Sequence, residues 1–257
     1  MAILNWQMQQ PISSVFFDCD GTLTSIEGIN QLAELKGVAS QVVALTELAM
    51  SSTGINEGLY TERLKIILPH ETQVHALAQS YIKWQTQHAK DVITILQRLG
   101  KTVYILSAGL EPAVIFFGKH LGVPEERIFS VGITFDAQGH YLDFDHTSPL
   151  IHHDGKRRLI QQLVRDARLT SLIGDGLNDC VAADIVTRFI GFGGVFFREN
   201  IARLSDYYLN APTLSPLLAL LLTASEIQLL SPAENQLYQL GLNYFLMQDS
   251  NIPAIKK

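Results

Sequence analysis

Hydrophobic and polar positions follow two rhythms along this chain. Short continuous apolar runs stand at Val15-Phe16-Phe17, Thr102–Leu106, Ser171-Leu172-Ile173-Gly174 and Phe189–Phe192. Runs this short and unbroken read as strands buried on both faces. Between the first two runs the apolar spacing changes to three and four. The series is Ile29, Leu32, Ala33; Val42, Leu45, Leu48, Ala49; Leu59, Leu64, Ile67, Leu68; and Val74, Leu77, Tyr81, Trp84. That period predicts amphipathic helices, with Pro69 dividing the last two. Further helices are expected over Asp91–Leu99, Glu111–Leu121 and Asp154–Ala167. Arg127–Phe135 and His140–Phe144 flank Asp136-Ala137-Gln138-Gly139, which reads as a hairpin.

Strands alternating with helices imply an α/β fold: a Rossmann-like, mostly parallel sheet with helices on both faces. The helical stretch after the first strand reads as an insert. The expected division is therefore a core of residues 1–24 and 90–212, a helical cap of residues 25–89, and a C-terminal helical extension of residues 213–257. That extension should hold two helices. The second opens with Ser231-Pro232-Ala233-Glu234, an N-cap, an N1 proline and a capping-box glutamate. Its ordinary purpose would be to cover the core or to form a dimer.

Composition narrows the picture. The 257 residues are 47% hydrophobic and 17% charged, which suits a large buried core and not disorder. A net charge of −6 provides no global basic field, so nucleic acid is not an expected partner. Nor is a membrane, because the longest apolar stretch, Leu217–Leu222, is far too short to span one. Met1–Pro11 lacks the charged and apolar regions of a signal peptide. Two cysteines, Cys19 and Cys180, build no disulfide framework and suit a reducing compartment. The expectation is a cytoplasmic monomer or homodimer.

The chemistry lies where apolar runs end. Asp18 and Asp20 follow the first run, in Phe16-Phe17-Asp18-Cys19-Asp20-Gly21-Thr22-Leu23-Thr24. Close carboxylates repel, so they share a proton or require a cation. A metal-held carboxylate can act as nucleophile and its neighbour can shuttle a proton. Alone, the pair could equally be a surface turn. Ile173-Gly174-Asp175-Gly176-Leu177-Asn178-Asp179 repeats the arrangement after another buried run. Four aspartates at two strand ends suit Mg²⁺, which takes oxygen ligands. Ser107-Ala108-Gly109 stands at a strand–helix junction, where a hydroxyl and backbone N–H groups can hold phosphate. Lys156 opens a helix, where the dipole disfavours a cation, and that misplacement hints at an anionic partner. Arg157 and Arg158 read as a solvated face. Gly100-Lys101-Thr102 lacks the spacing and context of a phosphate-binding P-loop.

Taken in order, these four elements resemble the haloacid dehalogenase-like superfamily, and the helical insert resembles its C1 cap. The resemblance implies a Mg²⁺-dependent phosphomonoesterase acting on a small phosphorylated metabolite. It implies Asp18 as nucleophile and Asp20 as general acid and base. It implies metal ligation by Asp18, Asp175 and the Asp20 backbone carbonyl, with Asp179 in support. Ser107, Ala108, Gly109, Lys156 and Asn178 would bind phosphate. Within the superfamily the chain is most similar to the phosphoserine phosphatases, over roughly Ser14 to Asn210. Glu27, Met50 and Arg63 then match substrate-contacting positions. Ser51 stands where that family usually has glycine, Asn56 where an aromatic residue is common, and Ala108 where glycine is common. A phosphatase for another small phosphate, or a phosphotransferase using the same site, would need the same residues.

Overall fold

The structure, a computed structural model, describes residues 6–49, 54–164 and 169–248. Its strands, in chain order, are β1 (Ser14–Phe17), β2 (Thr102–Leu110), β3 (Ile128–Val131), β4 (Ile133–Phe135), β5 (Tyr141–Phe144), β6 (Thr170–Gly174), β7 (Arg188–Phe192) and β8 (Tyr207–Leu209). Six of them form one sheet, ordered β3-β2-β1-β6-β7-β8, and every pairing in it is parallel. β1, β6 and β7 are buried along their whole length, as continuous apolar runs require. The chain builds outward from β1 through β2 to β3, then returns to β1's other side with β6. β1 and β6 therefore flank the point where strand order reverses, which is where open α/β sheets bind ligands.

Two strands depart from expectation. The run Arg127–Phe135 is not one hairpin arm. Ile128–Val131 joins the main sheet beside β2, and only Ile133–Phe135 pairs with β5 across the turn. Hydrophobic pattern marks a strand but not its partner, so one run served two sheets. β8 is an edge strand of three residues, too short to carry a periodic signal.

Among the described residues five helices lie between β1 and β2, and the first four make the insert: α1 (Gly28–Leu35), α2 (Ala39–Leu48), α3 (Glu57–Ile67) and α4 (Glu71–Lys83). They pack on one another, and α4 also packs on α6 (Glu111–His120) of the strand-helix layers. Leu68 stops α3 in the left-handed region at φ 44°, just before Pro69. Asn56 caps α3, its side chain accepting from the Leu59 N–H at 3.0 Å. The segments entering and leaving this insert run side by side. The Ser25 N–H donates to the Trp84 carbonyl at 2.8 Å, and the Thr86 N–H donates to the Leu23 carbonyl at 2.9 Å.

The remaining helices are α5 (Ala89–Arg98), α7 (Gly155–Leu163), α8 (Leu177–Cys180), α9 (Glu199–Leu204), α10 (Leu217–Leu221), α11 (Ala224–Ile227) and α12 (Pro232–Gln248). Where two helices were expected after residue 213, the described residues hold three. The short α10 is wholly buried and α12 packs on it. Ser231 and Glu234 form the anticipated capping box, the Ser231 N–H reaching Glu234 at 2.7 Å. Arg98 grips Glu234 through two hydrogen bonds of 2.7 Å, tying α5 to α12.

Candidate active site

β1 ends at Phe17, and the Asp18 N–H continues the ladder by donating to the Ile173 carbonyl of β6 at 2.9 Å. Asp18 is thereby fixed at the strand's carboxyl end. The chain then turns, with the Thr22, Leu23 and Thr24 N–H groups all donating to the Cys19 carbonyl. That turn brings Asp20 back beside Asp18. From β6, Gly174 leads into Asp175 and then Asp179 of α8. A Cβ on Gly174 would lie 2.1 Å from Asp179 Cγ, so only glycine lets that carboxylate approach.

Oxygens of Asp18, Asp175 and Asp179 lie within 4.8 Å of one another, all buried. Lys156 Nζ sits 2.6 Å from both Asp18 Oδ1 and Asp179 Oδ1. The lysine is 1% exposed, which explains its position against the dipole: two carboxylates hold it there. Burial alone would lower its pKa, but Asp179 and Asp18 outweigh that and raise it. Arg157 and Arg158 instead pair with Asp184 and Asp154 at the surface, as expected of a solvated face.

Asp20 is held on three sides. The Gly28 N–H donates to Oδ1 at 2.6 Å, the Tyr81 hydroxyl donates to Oδ1 at 2.8 Å, and Ser107 Oγ donates to Oδ2 at 3.3 Å. Burial pushes the Asp20 carboxyl up to about 6, with the Gly28 N–H opposing and Asp18 adding to the rise. A carboxyl in that range is suited to proton transfer near neutrality. Burial likewise raises Asp179 to about 6, against Lys156. Burial also raises Asp175, although Arg198 pairs with its Oδ2 and pulls the other way. Both thiols are raised by burial, Cys180 to about 12, so neither is a reactive nucleophile.

β2 runs past the expected junction and includes Ser107, Ala108 and Gly109 as strand residues. The Gly109 N–H donates to Ser107 Oγ at 2.9 Å. α6 begins directly afterwards at Glu111, so its N-terminus still faces the site. Ala108, Gly109 and Asn178 line one pocket together with Asp18, Asp20, Glu27, Arg63 and Tyr81. Met50 and Ser51 lie outside the described residues. Glu27 and Arg63 are buried from α1's start and from α3, and Glu27 Oε1 and Arg63 Nε have no hydrogen-bond partner among the described residues. Burial and the nearby Asp175 raise the Glu27 carboxyl.

The buried charges do not balance. With every carboxyl ionised, Asp18, Asp20, Glu27, Asp175 and Asp179 would face Arg63, Lys156 and Arg198 with two negative charges uncompensated, and burial without a cation raises four of these carboxyls accordingly. Asp175 Oδ1 is buried without a partner among the described residues. An oxygen-only acidic triad, an orphaned carboxylate oxygen and an excess of two negative charges fit a hard divalent cation. Sequence reading missed one contributor and gave another no role. Tyr81 appeared only as an apolar helix position, while Arg198 stood out only by resemblance to the phosphoserine phosphatases. A tyrosine on a helix's buried stripe needs a partner for its hydroxyl, and that was the available signal.

Comparison with known proteins agrees with this geometry. Residues 12–184 match the family model described as haloacid dehalogenase-like hydrolase. The phosphoserine phosphatase of Drosophila melanogaster is 33% identical over 199 residues, spanning 76% of this chain and 74% of that protein. The Homo sapiens phosphoserine phosphatase is 30% identical, spanning 77% of this chain and 88% of its own length. A phosphoserine phosphohydrolase-like protein from Francisella tularensis shares the fold, with a TM-score of 0.71 at 22% identity over 77% of this chain and 95% of that one. The chain belongs to the haloacid dehalogenase-like hydrolases, on their phosphoserine phosphatase-like branch, and is a phosphoric monoester hydrolase.

Proposed function

We propose that this chain hydrolyses O-phospho-L-serine to serine and phosphate through a phosphorylated Asp18. The observation that carries the substrate reading is a pair of side chains in the pocket that the aspartates line. Glu27 and Arg63 are both buried there, each with an unpartnered polar atom. A carboxylate and a guanidinium in one pocket suit the ammonium and carboxylate of an amino acid. The relatives' activity on phosphoserine supports the same reading.

Asp18 attacks the phosphorus as the bond to the serine oxygen breaks, and Asp20 gives its proton to the departing alkoxide. Water then attacks the same phosphorus, Asp20 takes a proton from it, and Asp18 leaves as a carboxylate. Lys156 holds Asp18 and offsets charge on the transferred group. Ser107, the backbone at Ala108 and Gly109, and Asn178 surround the phosphoryl oxygens. Asp18, Asp175 and Asp179, with the Asp20 carbonyl, would hold Mg²⁺, which neutralises phosphate charge when bound. Residues 25–89 act as the cap over residues 1–24 and 90–212, admitting substrate and excluding water during transfer. The reaction takes place in the cytoplasm, in a monomer or homodimer.

Phosphate release from a panel of small phosphates with Mg²⁺ tests this reading. Asp18→Asn should lose at least about a thousandfold in kcat, and near-normal turnover would refute the mechanism. Arg63→Ala should raise KM for phosphoserine by roughly 10- to 100-fold, the cost of a hydrogen bond to a charged group. O-Phosphoethanolamine, which lacks the carboxylate, should be nearly indifferent. Equal losses on both would refute the substrate assignment and leave the chemistry standing.

A further inference from the structure

Tyr81 reaches the catalytic cluster from the insert. Its ring is fully buried on α4, and its hydroxyl donates to Asp20 Oδ1 at 2.8 Å. The Gly28 N–H donates to the same oxygen at 2.6 Å. We infer that Tyr81 is a positioning residue for Asp20: with Gly28 it occupies Oδ1, so that Oδ2 is the oxygen that exchanges the proton.

Three observations carry this. First, the two short hydrogen bonds converge on one carboxylate oxygen. Among the described residues the second oxygen has Ser107 as its one hydrogen-bond partner, at 3.3 Å, and it lies against Gly109 of the pocket wall, where a Cβ would be 3.0 Å away. A carboxyl with one oxygen doubly bonded to donors carries its proton on the other. Second, space is reserved for the phenol. A Cβ on Gly28 would lie 2.1 Å from the Tyr81 hydroxyl oxygen, so the start of α1 accommodates it only as glycine. Third, the ring is packed against Phe117 of α6 at 5.6 Å between centroids, which fixes its direction. Both donors come from the insert, whereas Asp20 follows β1. The insert therefore shapes the proton-transferring group as well as the substrate pocket.

The inference rests on Asp20 being the acid, and one substrate pair separates the two claims. Phenyl phosphate and 4-nitrophenyl phosphate have nearly the same shape, but phenolate needs a proton as it leaves and 4-nitrophenolate does not. The value of kcat/KM reports steps through phosphoryl transfer. Tyr81→Phe keeps the ring and removes the donor. It should lower kcat/KM for phenyl phosphate about tenfold, within what an acid catalyst contributes, and for 4-nitrophenyl phosphate less than about threefold. A merely structural role would lower both alike, and that result overturns the inference. Gly28→Ala displaces the phenol from the other side and should give the same contrast if Tyr81→Phe folds poorly. Asp20→Asn should show the largest contrast. If it shows none, the assignment of Asp20 fails and the inference fails with it. If Asp20→Asn shows it and neither Tyr81→Phe nor Gly28→Ala does, the inference alone fails.

Discussion

Lys156 and Lys101 are the same side chain in the same degree of burial, each 1% exposed and each 2.6 Å from a carboxylate oxygen. Their surroundings differ. Lys101 stands at the start of β2, where Nζ donates to Glu226 and to the Ile12 carbonyl at 3.0 Å. Glu226 in turn accepts from the Thr223 N–H and hydroxyl at 2.8 and 2.9 Å. Each partner in that pair is satisfied. Lys156 lies at the opposite, carboxyl end of the strands, between two carboxylates. In the same site Asp175 Oδ1, Asn178 Oδ1 and Glu27 Oε1 are buried without partners among the described residues. The distance within an ion pair does not separate structure from function here. The accounting of the groups around it does: a closed network holds the chain together, and an open one is shaped for a ligand.

The sharpest way to break this comparison is Lys156→Met, which should lower kcat by about a thousandfold, the scale of losing one charge stabiliser at a transferring group. Turnover within tenfold of wild type would place Lys156 alongside Lys101. The converse variant, Lys101→Met, should cost roughly 3–5 kcal/mol of unfolding free energy by stranding Glu226, read by denaturant titration, with kcat/KM within about twofold of wild type. Saturating Mg²⁺ should stabilise the wild type by about 2.7 kcal/mol at a hundred times its dissociation constant. Calorimetry should show that gain intact in Lys101→Met and absent in Asp175→Asn. The smallest effect belongs to Lys101→Met/Glu226→Met. Removing both charges should bring stability to within about 1–2 kcal/mol of wild type, the residual being the lost cap at Thr223. A double variant no more stable than Lys101→Met would mean that Glu226 is not left stranded.

How far the chain could be read follows the same division. The strand ends were legible because Val15-Phe16-Phe17 and Ser171–Gly174 are unbroken apolar runs that stop at aspartates. Asp18, Asp20, Asp175 and Asp179 were consequently found together, and Lys156 betrayed itself by opposing its helix dipole. The first half of Arg127–Phe135, Ile128–Val131, was placed in the wrong pairing because alternation carries no information about partners. β8 fell below the length at which a period exists. Tyr81 was concealed by its own ring, which fits the apolar stripe of α4 beside Val74 and Leu77 while its hydroxyl does something else. Arg198 stood out only by family resemblance, and its role could not be read because its partner Asp175 is distant in sequence. Glu226 completes a buried pair with Lys101 that no spacing rule joins.

The paired segments at Leu23–Ser25 and Trp84–Thr86 have a consequence for how the molecule is assembled. The chain departs from the sheet and comes back to it within hydrogen-bonding distance of its own exit. From the sheet's side, the intervening helices are a closed loop of no net length, and loop-closure entropy grows only slowly with what such a loop contains. β1 and β2 can therefore find their register whatever is carried between them. On the proposed function, the substrate-facing part of the insert becomes a cassette that substitution or lengthening can remodel, provided that Gly28 and Tyr81 keep their hold on Asp20.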